Sequence, residues 1–439
     1  MKRINLLSKP SHAITGEIRV PGDKSISHRS IIFGALAKGT TIINGFLDGE
    51  DCMATLRAFQ AMGVQIEGPD EQQVIIYGVG KHGLKKPEQV IDCGNSGTSM
   101  RLLAGLLAAQ DFDSELIGDE SLMKRPMLRI SKPLMQMGAD ISTVDGKPPI
   151  RIKGGKKLKG INYVMPEASA QVKSCILLAG LYAEGETTVT ETGISRNHTE
   201  LMLESFSYPI SRKDNSITLD SKSECMATEI FVPGDISSAA FFIVAATIIP
   251  GSDLIIRNVG INETRTGILH ILLEMGANIT LLNQRQQGEE QVADIRVQYS
   301  SLQGIDISPT LVPLAIDEFP IIFIAAACAQ GQTTLHGAKE LRFKESDRIA
   351  AMIEGLNQLG IKAQALEDGA LIEGGKLQGG TVDSLGDHRI AMSFAIAGAV
   401  ASAPVIVENC ANVATSFPLF VATAKELQLQ LEEVAEHVR

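Results

Sequence analysis

The feature that most constrains the fold of this 439-residue chain is a unit of sequence that recurs six times. Each copy has a polar opening rich in small residues, an apolar helical run, a glycine-containing turn and a short β-branched strand. The copies start about 65–85 residues apart, which is too long for a solenoid repeat and typical of a small α/β unit. Their first residues are Lys24, Gly94, Ala168, Gly234, Asp317 and Gly386.

Inside most copies, the end of a helix is followed directly by a strand. A glycine after the last helical residue predicts the left-handed turn that stops a helix. The third and sixth copies carry weaker versions of this pattern, SYPIS and LQLQL. The clear versions are MGVQIE from Met62, MGADIS from Met137, MGANIT from Met275 and LGIKAQ from Leu359.

The six copies divide into two groups of three. The tetrapeptide V-P-G-D occurs at Val20–Asp23 and again at Val232–Asp235, each time just before a helix opening. Proline and glycine at matched positions favour equivalent turns in two related halves, although chance recurrence of a common turn sequence is an alternative. We therefore expect two pseudo-equivalent domains, with the chain crossing between them near these turns.

Composition and charge exclude several classes of protein. The longest apolar stretches, 239–250 and 319–329, are too short to span a bilayer, and no export signal is expected at the N-terminus, so we expect a cytoplasmic protein. The six cysteines stand singly and the eight histidines form no ligand motif, so neither a disulfide framework nor a metal site is expected. A net charge of −11 argues against general nucleic-acid binding.

The polar openings of the apolar helices are candidate anion sites. A helix N-terminus offers unpaired N–H groups and a partial positive charge, so several openings that converge would bind phosphate or carboxylate even in an acidic chain. For each segment taken singly, ordinary capping or a solvated charge cluster is the alternative. The openings rich in cations or hydroxyls are 21–29 (PGDKSISHR), 94–101 (GNSGTSMR), 124–129 (KRPMLR), 344–348 (KESDR) and 386–389 (GDHR).

Acidic and basic residues at three places along the chain have open roles. Lys344 and Arg348 are four residues apart and would share one face of a helix, with Glu345 beside them. Asp317 precedes an apolar run, where it is either a helix N-cap or a base that faces a cationic site. His388 is either catalytic or serves to orient Arg389 or cap the helix.

Taken together and in order, these segments resemble one family over nearly the whole chain. The succession is similar to that of 5-enolpyruvylshikimate-3-phosphate synthase: PGDKSISHR, GNSGTSMR, ESLMKRPM, SAQVKS, SRNHTE, DEFP, KESDR, GDHR and ATSFP. The resemblance implies an α/β fold of two similar domains, each of three βαβαββ units with buried helices and outer sheets (the enolpyruvyl transferase fold, an inverse α/β prism). It implies a discontinuous C-terminal domain of residues 1–20 plus 235–439, an N-terminal domain of 21–234, and an active site in the cleft between them.

The resemblance also implies a reaction. The enzyme would transfer the enolpyruvyl group of phosphoenolpyruvate to the 5-hydroxyl of shikimate 3-phosphate and release phosphate, a step of the shikimate pathway towards chorismate and the aromatic amino acids. Glyphosate competes with phosphoenolpyruvate in this family. No cofactor, metal or covalent enzyme intermediate would be required. The implied partners are the two small substrates, without nucleic acid or membrane, and the family suggests a monomer.

Matched residue by residue, the resemblance assigns site roles. Among the implied catalytic residues, Asp317 would act on the shikimate hydroxyl and Glu345, assisted by Lys344, on the methylene carbon. The full catalytic set is Asp317, Glu345, Lys344 and Lys24. The implied contacts of shikimate 3-phosphate are Lys24, Ser25, Arg29, Ser169, Ala170, Gln171, Arg196, Asp317 and Lys344. Those of phosphoenolpyruvate are Lys24, Asn95, Gly97, Arg125, Gln171, Arg348 and Arg389.

Two departures from the better-known class of the family resemble its second bacterial class. Ala170 stands where that class has a second serine, and Thr415 where it has a lysine.

Two other functions remain open. A related transferase that acts on UDP-N-acetylglucosamine shares the fold but has a loop with a reactive cysteine, whereas residues 121–127 here read SLMKRPM. The second alternative is a non-catalytic anion-binding or scaffold protein built on the same repeats.

Overall fold

A computed structural model of the chain describes residues 4–435, which form two compact units. The N-terminal unit contains Gly22–Val232 and Gln287–Glu290, and the C-terminal unit contains the other described residues. The α-helices are α1 (Lys24–Leu36), α2 (Glu50–Ala61), α3 (Gly97–Leu107), α4 (Leu128–Gln136), α5 (Ala170–Gly180), α6 (His198–Ser205), α7 (Ile236–Ile248), α8 (Gly267–Glu274), α9 (Phe319–Ala327), α10 (Arg348–Gln358), α11 (His388–Gly398) and α12 (Phe420–Glu426).

The strands are short and are spread along the whole described chain. They are β1 (Ile4–Lys9), β2 (Thr15–Ile18), β3 (Lys38–Asn44), β4 (Gln65–Asp70), β5 (Gln73–Val79), β6 (Ile91–Asp92), β7 (Ser114–Ile117), β8 (Asp140–Val144), β9 (Lys147–Lys153), β10 (Asn162–Val164), β11 (Thr187–Thr190), β12 (Ser211–Lys213), β13 (Ser216–Leu219), β14 (Glu229–Phe231), β15 (Asp253–Gly260), β16 (Asn278–Gln287), β17 (Glu290–Gln298), β18 (Gln332–Leu335), β19 (Lys362–Ala365), β20 (Ala370–Glu373), β21 (Gly380–Asp383), β22 (Val405–Glu408) and β23 (Gln430–Ala435).

The sheets repeat one strand order, which confirms the predicted βαβαββ unit. In the second copy, β6 pairs in parallel with β7, β7 pairs antiparallel with β9, and β8 forms a hairpin with β9. The same order recurs as β14-β3-β5-β4 and β10-β11-β13-β12 in the N-terminal unit, and as β2-β15-β17-β16 and β21-β22-β1-β23 in the C-terminal unit. In the three-stranded sheet β18-β20-β19, isolated parallel bridges Gln303–Gln330 and Asp306–Thr334 take the place of the first strand.

In two of the sheets, the first strand in this order comes from a distant part of the sequence. β2 pairs in parallel with β15, and β14 pairs in parallel with β3. Each of these strands is followed by a V-P-G-D turn and then by a helix of the other unit. The unit boundaries fall inside the two turns, after Pro21 and after Val232.

Each unit buries its helices in a core of its own. Every residue of α7 and α9 is buried, as expected for helices that are apolar all round. The contact of α3 with α5 requires a glycine, since a Cβ at Gly105 would lie 2.1 Å from the carbonyl oxygen of Cys175. Within residues 4–435, no helix has both the length and the apolar character needed to cross a membrane.

The predicted helix stops are confirmed in all six copies. The four glycines of the clear pattern have positive φ angles, between +82° and +98°. In the third and sixth copies Ser207 and Gln428 adopt the same left-handed conformation, which explains why the sequence signal is weaker there. The four glycines are Gly63, Gly138, Gly276 and Gly360.

Candidate active site

In the N-terminal unit, most of the predicted anion-binding residues lie at the starts of α1, α3 and α5. Each start has a side-chain cap: Asp23 for α1, Ser96 for α3 and Ser169 for α5. A cap satisfies one of the free N–H groups of the first turn and fixes where the helix begins. Ser25 and Ala170 lie half-buried in the first turns of α1 and α5.

Arg29 is held in a fixed plane by three elements. Its Nε donates to Thr199 Oγ1 at 2.7 Å, its Nη2 donates to Ser174 Oγ at 2.8 Å, and its Nη1 donates to the carbonyl oxygen of Ser25 at 3.0 Å. Ser174 belongs to α5 and Thr199 to α6, so the guanidinium is positioned where three helices meet. A planar cation fixed in this way is well suited to bind phosphate.

Lys24 forms an ion pair with Asp51, a buried residue of α2. One turn further along α1, His28 Nδ1 lies 2.8 Å from Thr55 Oγ1, which in turn lies 2.6 Å from Ser99 Oγ. This buried chain joins α1, α2 and α3. Burial, followed by the charges of Lys24 and Arg29, holds the pKa of the His28 imidazole well below its usual value, so His28 is neutral near pH 7.

Gln171 and Asn95 join α3 to its neighbours. Gln171 accepts a hydrogen bond from Arg101 Nη1 at 2.6 Å and donates to Thr98 Oγ1 at 3.0 Å. Asn95 donates to Asp119 Oδ2 at 2.7 Å, and its Oδ1 lies 3.5 Å from Arg125 Nη2.

The absence of a side chain at Gly97 leaves room for two guanidinium groups. A Cβ there would lie 2.8 Å from Arg101 Nη1 and 3.0 Å from Arg125 Nη1. Arg125 is buried, whereas its neighbour Lys124 is exposed and pairs with Glu120 at 2.6 Å. The basic pair predicted from the sequence therefore divides into one buried cation and one surface cation.

In the C-terminal unit, Arg348 is the centre of a buried charge cluster at the start of α10. Its guanidinium lies 2.8 Å from Asp387, 2.7 Å from Glu345 and 3.4 Å from Asp317. Burial alone would lower the pKa of Arg348, but these three carboxylates raise it above its ordinary value. Conversely, burial alone would raise the pKa of Asp387, but the charge of Arg348, the charge of His388 and the hydrogen bond from Arg348 together lower it.

The expectation that Lys344 and Arg348 share one face of a helix is wrong. The side chain of Asp347 accepts a hydrogen bond from Ala350 N and starts α10 at Arg348, so Lys344 lies outside the helix. Lys344 instead reaches Asp317 at 3.7 Å and Glu340 at 3.3 Å. Lys344, which lies before α10, and Arg348, the first residue of α10, therefore both contact Asp317.

Asp317 does not cap α9. Glu318 occupies the N-cap position without a side-chain cap bond, and the carboxylate of Asp317 is directed to the two cations. Of the two roles that the sequence left open for Asp317, the structure therefore shows a carboxylate that faces cations and not an N-cap. At α11 the cap is Asp387, which accepts a hydrogen bond from Arg389 N, so His388 is not the cap.

Arg389 is half-buried near a second buried carboxylate. Its Nη1 lies 3.9 Å from Glu318 Oε1, which also accepts a hydrogen bond from Ser237. Ser237 is held by Arg265 Nη2 at 2.6 Å. Thus the starts of α7, α9, α10 and α11 are linked by charges and hydroxyls, as those of α1, α3 and α5 are in the N-terminal unit.

The predicted site residues therefore form two groups, one in each unit. Arg196 precedes α6 and is half-buried, and Thr415 is buried with its hydroxyl bonded to the carbonyl oxygen of Asn412 at 2.7 Å. Among the described residues, no group of three or more His, Cys, Asp or Glu side chains could hold a metal ion. The N-terminal group is Lys24, Ser25, Arg29, Asn95, Gly97, Arg125, Ser169, Ala170, Gln171 and Arg196, and the C-terminal group is Asp317, Lys344, Glu345, Arg348 and Arg389.

Several residues that contact the predicted site residues were not singled out from the sequence. Asp387 and Arg101 each lie in a motif that was recognised, GDHR and GNSGTSMR, so a closer analysis of those motifs could have found them. Glu318 likewise lies in the recognised motif DEFP, whereas Asp51 had no such signal. Asp51 is an acid in the first turn of an ordinary amphipathic helix, and only the tertiary structure places it beside Lys24.

Comparison with known proteins identifies the family. Residues 8–423 match the family model described as EPSP synthase (3-phosphoshikimate 1-carboxyvinyltransferase). The chain belongs to the EPSP synthase family. It is 73% identical over 430 residues to a 3-phosphoshikimate 1-carboxyvinyltransferase of Legionella pneumophila, a match that covers 98% of this chain and 99% of the relative. The enzyme of that name from Methylococcus capsulatus is 59% identical over 432 residues, with the same coverage of both chains.

Solved structures of EPSP synthase agree with this assignment. The structure of EPSP synthase from Acinetobacter baumannii superimposes with a TM-score of 0.89 at 54% identity, covering 98% of this chain and all of that chain. The fold is therefore the two-domain enolpyruvyl transferase fold of EPSP synthases, as the sequence resemblance implied.

Proposed function

We infer that this chain is an enzyme that transfers the enolpyruvyl group of phosphoenolpyruvate to the 5-hydroxyl of shikimate 3-phosphate and releases phosphate. The observation that carries this inference is the 73% identity, over 98% of the chain, to an enzyme named 3-phosphoshikimate 1-carboxyvinyltransferase. The activity places the protein in the shikimate pathway of aromatic amino-acid biosynthesis. It is favoured over the UDP-N-acetylglucosamine transferase and over a non-catalytic scaffold, because the matching family is that of EPSP synthase.

We propose that the residues grouped at the helix starts bind the two anionic substrates. Arg29, fixed by Ser174 and Thr199, would bind the phosphate of shikimate 3-phosphate together with Ser169, while Gln171 would face its ring. Arg125 and Arg348 would bind phosphoenolpyruvate, with Arg389 as a third cation. Charge-assisted hydrogen bonds of this kind are about twice as strong as neutral ones, which suits two highly charged ligands. The remaining contacts proposed are Lys24, Ser25, Asn95, Gly97, Ala170, Arg196, Asp317 and Lys344.

The proposed chemistry uses the carboxylates beside Arg348. The 5-hydroxyl oxygen adds to the central carbon of phosphoenolpyruvate as Asp317 accepts the hydroxyl proton. Glu345, assisted by Lys344, supplies a proton to the methylene carbon, which gives a tetrahedral intermediate. Return of a proton from the methyl group to Glu345 and cleavage of the carbon–oxygen bond to phosphate, which leaves with the proton held by Asp317, then complete the transfer. Arg348 lies within 3.4 Å of both carboxylates, so its charge would stabilise Asp317 in the ionised form that accepts the hydroxyl proton, and would stabilise the Glu345 carboxylate once Glu345 has given up its proton.

We further propose that residues of both units form one active site. The sequence-based domains, 1–20 plus 235–439 and 21–234, each supply part of the proposed substrate contacts, so neither would be active alone. We also propose a monomeric enzyme of the cytoplasm. We expect no cofactor to be needed, because every proposed step is a proton transfer, the addition of the hydroxyl to phosphoenolpyruvate or the elimination of phosphate.

The test is a product assay with purified protein. Phosphoenolpyruvate plus shikimate 3-phosphate should release phosphate and form the enolpyruvyl ether in equal amounts, while UDP-N-acetylglucosamine should give neither. Omission of each substrate in turn provides the control for simple phosphatase activity. Phosphate release without the ether, or transfer to the nucleotide sugar, would overturn the proposed function.

A further inference from the structure

A buried ion triad lies outside the residues that the sequence predicted for the site. Lys173, in α5, has a side chain that is 0% exposed and forms ion pairs with Glu200 at 2.6 Å and with Glu191 at 3.0 Å. The side chains of the two acids are themselves 3% and 13% exposed. Burying charges is costly, and an apolar substitute of similar volume often stabilises a protein equally well. The triad is therefore better explained by the geometry it fixes than by stability.

Two members of the triad are sequence neighbours of the residues that hold Arg29. Ser174 follows Lys173 on α5, and Thr199 precedes Glu200 on α6. The hydroxyls of Ser174 and Thr199 lie 2.6 Å apart and accept hydrogen bonds from Nη2 and Nε of Arg29. The ion pair of Lys173 with Glu200 therefore joins α5 and α6 next to the two hydroxyls that bind the guanidinium of Arg29.

The donors in this network are fully assigned by its geometry. Ser174 donates its hydroxyl hydrogen to the carbonyl oxygen of Ala170 at 2.6 Å, so it can only accept from Arg29 and Thr199. Thr199 must then donate to Ser174 and accept from Arg29. A shift of either helix would therefore disturb one bond to Arg29 and the bond between the two hydroxyls at once.

The third member of the triad fixes a second predicted cation. The carboxylate of Glu191 accepts a hydrogen bond from the hydroxyl of Ser195, and Ser195 directly precedes Arg196. The triad thus restrains both ends of the segment from 191 to 200 that carries Arg196. Arg29 and Arg196 are the two arginines proposed for shikimate 3-phosphate.

We propose that Lys173, Glu191 and Glu200 are positioning residues for shikimate 3-phosphate. They set the affinity for that substrate by aligning Arg29 and Arg196, and they contact neither the reacting carbons nor phosphoenolpyruvate. This proposal rests on the proposed function, since it names which of the two substrates depends on the triad.

The test compares Lys173→Met with a matched substitution at another buried lysine. Lys81 is 3% exposed in the same unit, and its Nζ donates to the carbonyl oxygens of Leu181 and Ser221. Lys173→Met should raise the KM for shikimate 3-phosphate about tenfold, with kcat and the KM for phosphoenolpyruvate within about twofold of wild type. Lys81→Met should lower the melting temperature without any selective change in KM.

A second pair of variants keeps the proposal testable if Lys173→Met does not fold. Glu200→Gln keeps the shape of the side chain and should give the same selective rise in KM, whereas Glu204→Gln on the exposed face of α6 should not. Equal changes in both KM values, or the same selective change in either control, would overturn the proposal. A wild-type protein that does not turn over the two substrates would instead overturn the proposed function.

Discussion

His28 lies within the helix start that carries Lys24 and Arg29, yet its ring is buried and its pKa is held well below the usual value by burial and by those two cations. In the unfolded chain, a histidine titrates near pH 6.5. Below that pH, the unfolded state binds a proton that the folded state does not, so the free energy of unfolding decreases as the pH falls through this range. This residue therefore makes the fold less stable in mild acid.

Substitution of His28 by Asn should reduce this pH dependence. An Asn side chain can still hydrogen-bond Thr55 but does not titrate. Between pH 6.5 and about pH 5, the variant should lose a slope of up to about 1.4 kcal/mol per pH unit in the free energy of unfolding. Urea unfolding at a series of pH values measures this slope. The same substitution at the exposed His270 is the control, and an unchanged slope in His28→Asn would contradict the assignment.

The two carboxylates beside Arg348 should matter for turnover rather than for binding. Because Lys344 and Arg348 lie next to them, neither acid is needed to attract anionic substrates. Asp317→Asn and Glu345→Gln should each lower kcat by about 10²–10⁴ and leave substrate affinity equal or improved. Titration calorimetry and steady-state kinetics together separate the two effects.

The control for this pair is Glu340→Gln, which removes the other carboxylate that contacts Lys344. Its turnover should remain close to that of the wild type, because Glu340 is not among the proposed proton carriers. If Asp317→Asn or Glu345→Gln retained wild-type turnover, that residue would have no part in the proton transfers.

At the scale of the element, the two V-P-G-D turns have the same sequence but different surroundings. A Cβ at Gly22 would lie 1.9 Å from the carbonyl oxygen of Gly45, a backbone atom that cannot move aside without disturbing the sheet. A Cβ at Gly234 would meet its nearest atoms, in Val20 and Asn258, at 3.0 and 3.2 Å. The first glycine is therefore required by close packing, whereas the second is nearly replaceable.

This difference predicts unequal effects of one substitution. Gly22→Ala should lower the free energy of unfolding by about 3 kcal/mol or more, and Gly234→Ala by about 1 kcal/mol or less. Each variant serves as the control for the other, since both change the same residue in the same tetrapeptide. Urea unfolding followed by circular dichroism gives the comparison, and equal losses would show that the two turns are packed alike.

At the scale of the whole molecule, the proposed contacts of shikimate 3-phosphate are divided between the two units. If Lys24 and Arg29 on one unit and Asp317 and Lys344 on the other bind the same ligand, saturation with that ligand should make the protein more compact. Small-angle scattering should then show a smaller radius of gyration with shikimate 3-phosphate than with inorganic phosphate at the same ionic strength. An unchanged radius would count against a site shared by both units.

The sequence alone determined the repeating architecture and the family of this protein. Helix stops, apolar helices and the sixfold repeat are local patterns, because a helix ends where a glycine turns and is buried where it is apolar all round. The cationic helix starts could be found for the same reason, since Lys24, Arg29 and Arg348 stand beside recognisable caps and turns.

Only the tertiary structure decided which charges meet. Lys24 with Asp51, Arg348 with Asp387, and Lys173 with Glu200 are all pairs between different elements, separated by 27 or more residues along the chain. The error at Lys344 had a local origin, since the spacing of the two cations could not show that Asp347 caps the helix and that α10 begins at Arg348. Charge pairing depends on distances of a few ångströms between side chains, and helix packing rather than local sequence sets those distances.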